Sequence, residues 1–307
     1  MSLPIATGTT PQSGLSIPEL WSTKIIEHLN PQLVLPMITN TMYSGEISKK
    51  GDKVIIRSEP EVMIGDYEPG MELKTEQPDT DITELLIDKA KYFALEENDV
   101  LSYQQDIKLM NLAANRAAFK MKEAVEKDVL TNILPDISLT NKGATAGALG
   151  GGINLGTTSS PVVLNKENVT DFIANMGTVL DEANCPGDSR FLIVPPRLAN
   201  LVKRSELKDA SLAGDGTSIY RNGRIGMLDR FMIYESHYLL RDSSNNAVHM
   251  IAGHKMGTSF VSQLTKVEQA SIPKGFEKII KGLNVYGYKV LYPDTLCQAV
   301  VQTNLAL

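Results

Sequence analysis

The sequence predicts an α+β fold, with helices and strands segregated along the chain rather than alternating. Two β-patterned runs at 53–57 and 82–87 flank a long acidic insert. One sustained helical pattern runs from Ser102 to Leu134, and further strand patterns return from residue 190 to the end. Composition agrees with a globular chain. Of 307 residues, 42% are hydrophobic and 21% charged, which excludes wholesale disorder. Thirty Lys plus Arg stand against thirty-six Asp plus Glu, a net charge of −6. A dedicated nucleic-acid binder would need clustered cations to displace counterions, so that class is disfavoured. No apolar run approaches the ~20 residues that cross a bilayer, so no membrane partner is expected. Met1-Ser2-Leu3-Pro4-Ile5 has neither the basic nor the apolar region of a secretion signal. Cys185 and Cys297 do not make a disulfide framework.

In chain order, residues 1–15 are small and polar and read as a tail. Ser16 and Glu19 have capping-box spacing, and Ile17, Leu20, Trp21, Ile25 and Leu29 follow at helical intervals until Asn30-Pro31. His28 sits at the end of this helix, where a cation is mildly favourable. Trp21 suits either core packing or a subunit contact. Between the strand runs at 53–57 and 82–87 come Pro60, Pro69 and Pro78, with a type II turn at Glu68-Pro69-Gly70-Met71. The insert carries Glu59, Glu61, Asp66, Glu68, Glu72, Glu76, Asp79 and Asp81, answered only by Arg57 and Lys74. Paired limbs of 15–20 residues would reach on the order of 50–60 Å at ~3.3 Å per residue. A two-stranded ribbon of that length is marginal alone, so it either lies upon another molecule or is a solvated acidic loop.

The long helix has a capping box at Ser102-Tyr103-Gln104-Gln105, and Ile107, Met110, Ala114, Ala117, Met121, Val125 and Val129 hold one face. A packing stripe explains that face better than a cofactor lining. The glycine-rich stretch at 143–156 lacks a dinucleotide or P-loop register and reads as a flexible surface loop. Asn165 is placed to cap the next helix, with Leu164 and Val169 as a hydrophobic staple and Phe172, Ile173, Met176, Val179 and Leu180 inward. Arg190-Phe191-Leu192-Ile193-Val194 is a buried strand, and Pro195-Pro196 opens a short helix through Lys203. Strands follow at 231–234, 248–251, 260–270, 283–291 and 296–303. There is no HExxH, CxxC or GxSxG motif. His249 and His254 fall on opposite faces of a strand, are expected to be partly exposed, and do not suggest a shared metal. No catalytic residue, cofactor or metal site is predicted.

This order of parts resembles the tailed-phage major capsid proteins of the Hong Kong 97 fold. Local segments carry the likeness: Gly51-Asp52-Lys53-Val54, Asp181-Glu182-Ala183-Asn184-Cys185-Pro186, and 190–196. Further on, 222–236 and Gly282-Leu283-Asn284-Val285-Tyr286-Gly287-Tyr288-Lys289-Val290 with Pro293 add to it. The likeness runs from about Pro18 onward and implies four regions. They are an N-arm at 1–50, an E-loop β-hairpin at 51–95, a P-domain with its spine helix and long strands at 96–140 and 256–290, and an A-domain at 141–255 and 291–307. The loops at 143–156 and 213–218 would lie in the A-domain, where flexibility would suit both pentamers and hexamers.

The resemblance implies a non-enzymatic protein that self-assembles as pentamers and hexamers into an icosahedral shell. Its partners would be a separate scaffolding protein, a portal, decoration proteins and packaged double-stranded DNA held by weak non-specific contact. It would lie in the virion capsid after assembly in the host cytoplasm. No covalent Lys–Asn cross-link can be placed on this sequence. The hairpin acids Glu59, Glu61, Asp66, Glu68, Glu72 and Glu76 would reach a neighbouring subunit. Cations expected to meet them are Arg116, Lys120, Lys122, Lys127, Lys274, Lys278 and Lys281, with apolar contacts from Trp21, Ile25 and Leu29. An encapsulin-type nanocompartment shell has the same fold and remains the alternative. A tube or decoration protein is weaker, and a cytosolic α+β enzyme would need two converging carboxylates.

Overall fold

A computed structural model describes residues 33–45, 53–57, 82–98, 109–205, 226–243, 245–271 and 277–303, with isolated positions between 59 and 80. Within these lie four α-helices: α1 (Leu35–Ile38), α2 (Leu109–Asn132), α3 (Val169–Glu182) and α4 (Pro196–Arg204). The strands are β1 (Lys53–Arg57), β2 (Ile82–Leu86), β3 (Lys89–Asn98), β4 (Val162–Leu164), β5 (Arg190–Val194), β6 (Met227–Leu228), β7 (Phe231–Glu235), β8 (Val248–His254), β9 (Thr258–Ser271), β10 (Glu277–Val290) and β11 (Leu296–Thr303). They form a two-stranded sheet β1-β2, a three-stranded sheet β3-β10-β9, and a six-stranded sheet β4-β11-β8-β5-β7-β6.

The six-stranded sheet is the buried centre of one half of the molecule. β5 is apolar at four successive positions because both its faces are covered, and all five of its residues are buried. Leu192 and Val194 pack with α3 and α4, whereas Phe191 and Ile193 pack with α1 and α2. The five inward residues of α3 named from its periodicity are all at most 5% exposed. β9 and β10 run antiparallel over a long register broken by a bulge between Leu283 and Asn284. The β1-β2 hairpin rests on that sheet: Val54 and Leu85 pack with Val261 and Val285. Close approach is possible because Gly287 has no Cβ, which would otherwise collide with the Leu86 carbonyl.

Several expectations change. Pairing in the hairpin covers only Lys53–Arg57 against Ile82–Leu86, so the long paired ribbon is absent among the described residues. Residues 89–95, within the range that the resemblance implies for the hairpin, form part of β3 and pair with β10. The long helix is seen from Leu109, and its capping box at 102–105 lies outside the described residues, as do the helix at 16–29 and the loop at 213–218. Asn168 rather than Asn165 stands at the start of α3. Asn165 instead builds the preceding turn, its Oδ1 accepting from the Glu167 and Asn168 amides at 3.0 Å each.

The glycine-rich stretch is tethered rather than free. Ala146 and Leu155 are fully buried. The Ala146 and Ile153 amides and carbonyls exchange bonds of 2.8 and 3.0 Å, and the Val300 amide donates to the Leu155 carbonyl at 2.8 Å. Both histidines are buried, not partly exposed. His249 Nδ1 meets Gln298 Nε2 at 2.8 Å, and His254 Nδ1 accepts from the Met256 amide at 3.2 Å.

Candidate inter-subunit surface

Directly opposed residues in an antiparallel pair point to the same face, so the hairpin register sorts its side chains into two sets. Val54, Ile56, Thr83 and Leu85 face the three-stranded sheet, and Leu85 is 0% exposed. Lys53, Ile55, Arg57, Ile82, Glu84 and Leu86 face away. Ile55, Ile82 and Leu86 are 52%, 60% and 52% exposed, flanked by a Lys53–Glu84 ion pair of 2.5 Å. Val62, Ile64 and Met71 extend the exposed apolar set into the insert. Glu59, Asp66 and Glu72 are exposed beside them. One face of the hairpin is thus a core face, and the other presents branched side chains that nothing among the described residues covers.

The cations expected to answer the hairpin are unequal. Lys120 is paired with Glu123 at 2.7 Å and Lys281 with Glu268 at 3.2 Å. Arg116 has its own interactions, including a cation–π contact with Phe119 at 5.7 Å. Lys122 and Lys127 are exposed on α2. Trp21, Ile25, Leu29, Glu61, Glu68, Glu76 and Lys274 lie outside the described residues, as does the side chain of Lys278.

Two arrangements fix the frame behind this surface, and pattern reading missed both. Glu126, on α2, is 1% exposed. Its carboxylate accepts from the Val34 and Leu35 amides at 2.8 and 3.2 Å and from the Ser236 hydroxyl at 3.4 Å, tying the end of the N-terminal segment to the helix. Burial pushes its carboxyl above the usual range, against the pull of those hydrogen bonds. Second, Asp128 gathers Tyr286 (3.0 Å), Tyr288 (3.4 Å), Asn132 (3.0 Å) and the Lys89 ammonium (3.3 Å), joining α2 to β3 and β10. Lys89 also bonds the Tyr288 hydroxyl. Among the described residues no group of His, Cys, Asp or Glu is placed to hold a metal.

The phage capsid protein family model matches residues 82–298, more than two thirds of the chain and nearly all of the framework just described. The chain belongs to the phage capsid protein family. As a member of it, this capsid protein is a structural shell subunit rather than an enzyme, and its mixed helix-and-sheet fold is the Hong Kong 97-like capsid fold. A solved structure from Mycobacterium phage Che8 is 25% identical, with a TM-score of 0.74 over 94% of this capsid protein and 97% of the other chain. The capsid of cyanophage P-SCSP1u matches at 14% identity and a TM-score of 0.69, covering 99% of each chain. The capsid of the native GTA particle matches at 13% identity and 0.64, covering 98% and 99%. No curated protein shows significant sequence similarity. Family and fold together make this capsid protein a major capsid protein of an icosahedral phage head shell, associating with copies of itself.

Proposed function

We propose that the subunits join as pentamers and hexamers into a shell around the packaged double-stranded DNA of a tailed phage, assembled in the host cytoplasm with a separate scaffolding protein, a portal and decoration proteins. On this reading 1–50 is the N-arm, the hairpin and its insert are the E-loop, α2 is the spine helix of the P-domain with β3, β9 and β10, and the six-stranded sheet is the A-domain. The hairpin's two faces carry the proposal: one is buried at home, and the other exposes Ile55, Ile82 and Leu86. In a shell of identical chains, the surface available to cover that face everywhere is a neighbouring copy. Covering the exposed half of three such side chains contributes about 0.8–1.5 kcal/mol each, whereas exposed ion pairs contribute ~0–1 kcal/mol. Apolar contact therefore carries the affinity and the acids set the register. Trp21, Ile25 and Leu29 are proposed to add apolar contact from the N-arm. DNA contact is weak and non-specific, and no covalent cross-link is required.

The test is Glu59→Lys, Asp66→Lys and Glu72→Lys together, supplied in place of the wild-type chain in a phage that carries it. Head assembly is expected to stop while the soluble subunit melts as the wild type does. Normal heads from this variant would remove the electrostatic part of the reading.

A further inference from the structure

Residues 57–81 hold six more acids than bases, which equals the net charge of the whole chain, −6, so the rest of the sequence is electrically balanced. A segment that concentrates the charge in this way needs a cationic surface where it docks. The cations on α2 and β10 first expected to serve are partly committed: Lys120, Lys281 and Arg116 already have partners. A different element stands out. α4 reads Pro196-Arg-Leu-Ala-Asn-Leu-Val-Lys-Arg204, with three cations and no acid. Leu198, Ala199, Leu201 and Val202 are buried, so Arg197, Asn200, Lys203 and Arg204 share the opposite face. Arg197, Lys203 and Arg204 make no ion pair among the described residues.

Helix stability explains only half of this. Lys203 and Arg204, in the last turn, complement the helix dipole, but Arg197 in the first turn opposes it. A cation placed against the dipole, with no ion pair among the described residues, leaves its charge available to an external partner. Resting on the draping read above, we infer that the outer face of α4 is the dock for the acidic E-loop insert of a neighbouring copy. Arg197 and Arg204 stand about 10 Å apart along one side of the helix. An insert folded back on itself, with limbs of roughly 12 residues at ~3.3 Å each, reaches about 40 Å. That is close to the width of a subunit with a radius of gyration of ~19 Å. Charge complementarity favours this occupant. The alternative occupant, the phosphate backbone of packaged DNA, is an outcome of the test.

The experiment is a charge swap in the phage that carries the chain. Variant one is Arg197→Glu, Lys203→Glu and Arg204→Glu; variant two is the Glu59, Asp66, Glu72→Lys triple; variant three combines them. Each triple alone is expected to lower the yield of sedimenting heads at least tenfold, and the combination to restore most of it. Folding is checked separately with Arg197→Glu alone, which puts an acid where the dipole favours one. Its melting temperature is expected to stay at or above wild type while head yield falls. Normal heads from variant one overturn the inference. If that variant also loses binding to a 30-base-pair duplex, measured by fluorescence anisotropy on the soluble chain, the α4 face belongs to nucleic acid. Failure of the combination to restore heads places the two surfaces apart and overturns it as well. Normal heads from variant two remove the electrostatic part of the draping reading, a failure distinct from normal heads in variant one with variant two blocked.

Discussion

Glu126 shows how one buried side chain can organise an assembly element. Three donors converge on it from two distant segments, so the chain at Val34 and Leu35 is fixed to α2. Glu126→Leu keeps a similar size but removes the oxygen that both amides need, which leaves the buried Val34 and Leu35 amides unpaired at a cost of about 1–3 kcal/mol. The expected outcome is a lower melting temperature and faster proteolysis before residue 40. Its pH dependence has a definite sign. Burial raises the folded pKa above the unfolded value, so the stability linked to the neutral carboxyl is fully present below the unfolded value of ~4.3 and is lost as pH rises through the raised folded value. The wild type should therefore lose stability relative to Glu126→Leu over that window, read as a change in the difference between their melting temperatures. Gly287 is a second single-residue device. In Gly287→Ala the new methyl meets the Leu86 carbonyl, and overpacking of about 1–3 kcal/mol is expected. Hydrogen exchange should quicken selectively across β1 and β2, because the hairpin is pushed off the three-stranded sheet.

At the scale of elements, legibility in the sequence followed how local the cause was. β5 and α3 were readable because their burial is written as a continuous run and as a 3.6-residue stripe, and the same layers cover them in the structure. β1 and β2 were readable as strands, but their pairing length was not. Pleat alternation shows which side chains share a face and carries no information on where a ladder stops. β3 was missed because Lys89, Lys91, Glu96 and Glu97 break its apolar pattern, and its pairing with β10 is a contact between residues far apart in sequence. The glycine-rich stretch was misread as free because its anchor, the Val300 amide, lies more than a hundred residues away. The outward set Ile55, Ile82 and Leu86 was legible in principle from the same alternation that marked Val54 and Leu85 as inward. Glu126 was not, since one carboxylate on a charged helix carries no pattern. The element-level prediction uses this asymmetry. Ile55→Ser with Leu86→Ser should change the subunit's own stability by no more than about 0.5 kcal/mol, because both side chains are exposed in it. The same pair should strongly reduce head yield, measured by sedimentation.

For the whole molecule, the hydrophobic effect and electrostatics divide the work. Two helix layers close over the six-stranded sheet, and a shorter hairpin closes one face of the long strands, while the hairpin's outer face has no cover among the described residues. A shell of copies can supply that cover, since each subunit offers what its neighbour lacks. Within the described residues the hairpin pairing ends at Leu86, and the next strand, Lys89–Asn98, pairs with β10. The most direct measurement is an electron cryomicroscopy reconstruction of the assembled head at a resolution that shows side chains. The expected result is density from a second copy closed over Ile55, Ile82 and Leu86 in every symmetry-independent subunit. A head in which those three side chains face solvent, or in which the hairpin insert folds back against its own subunit, would contradict the account.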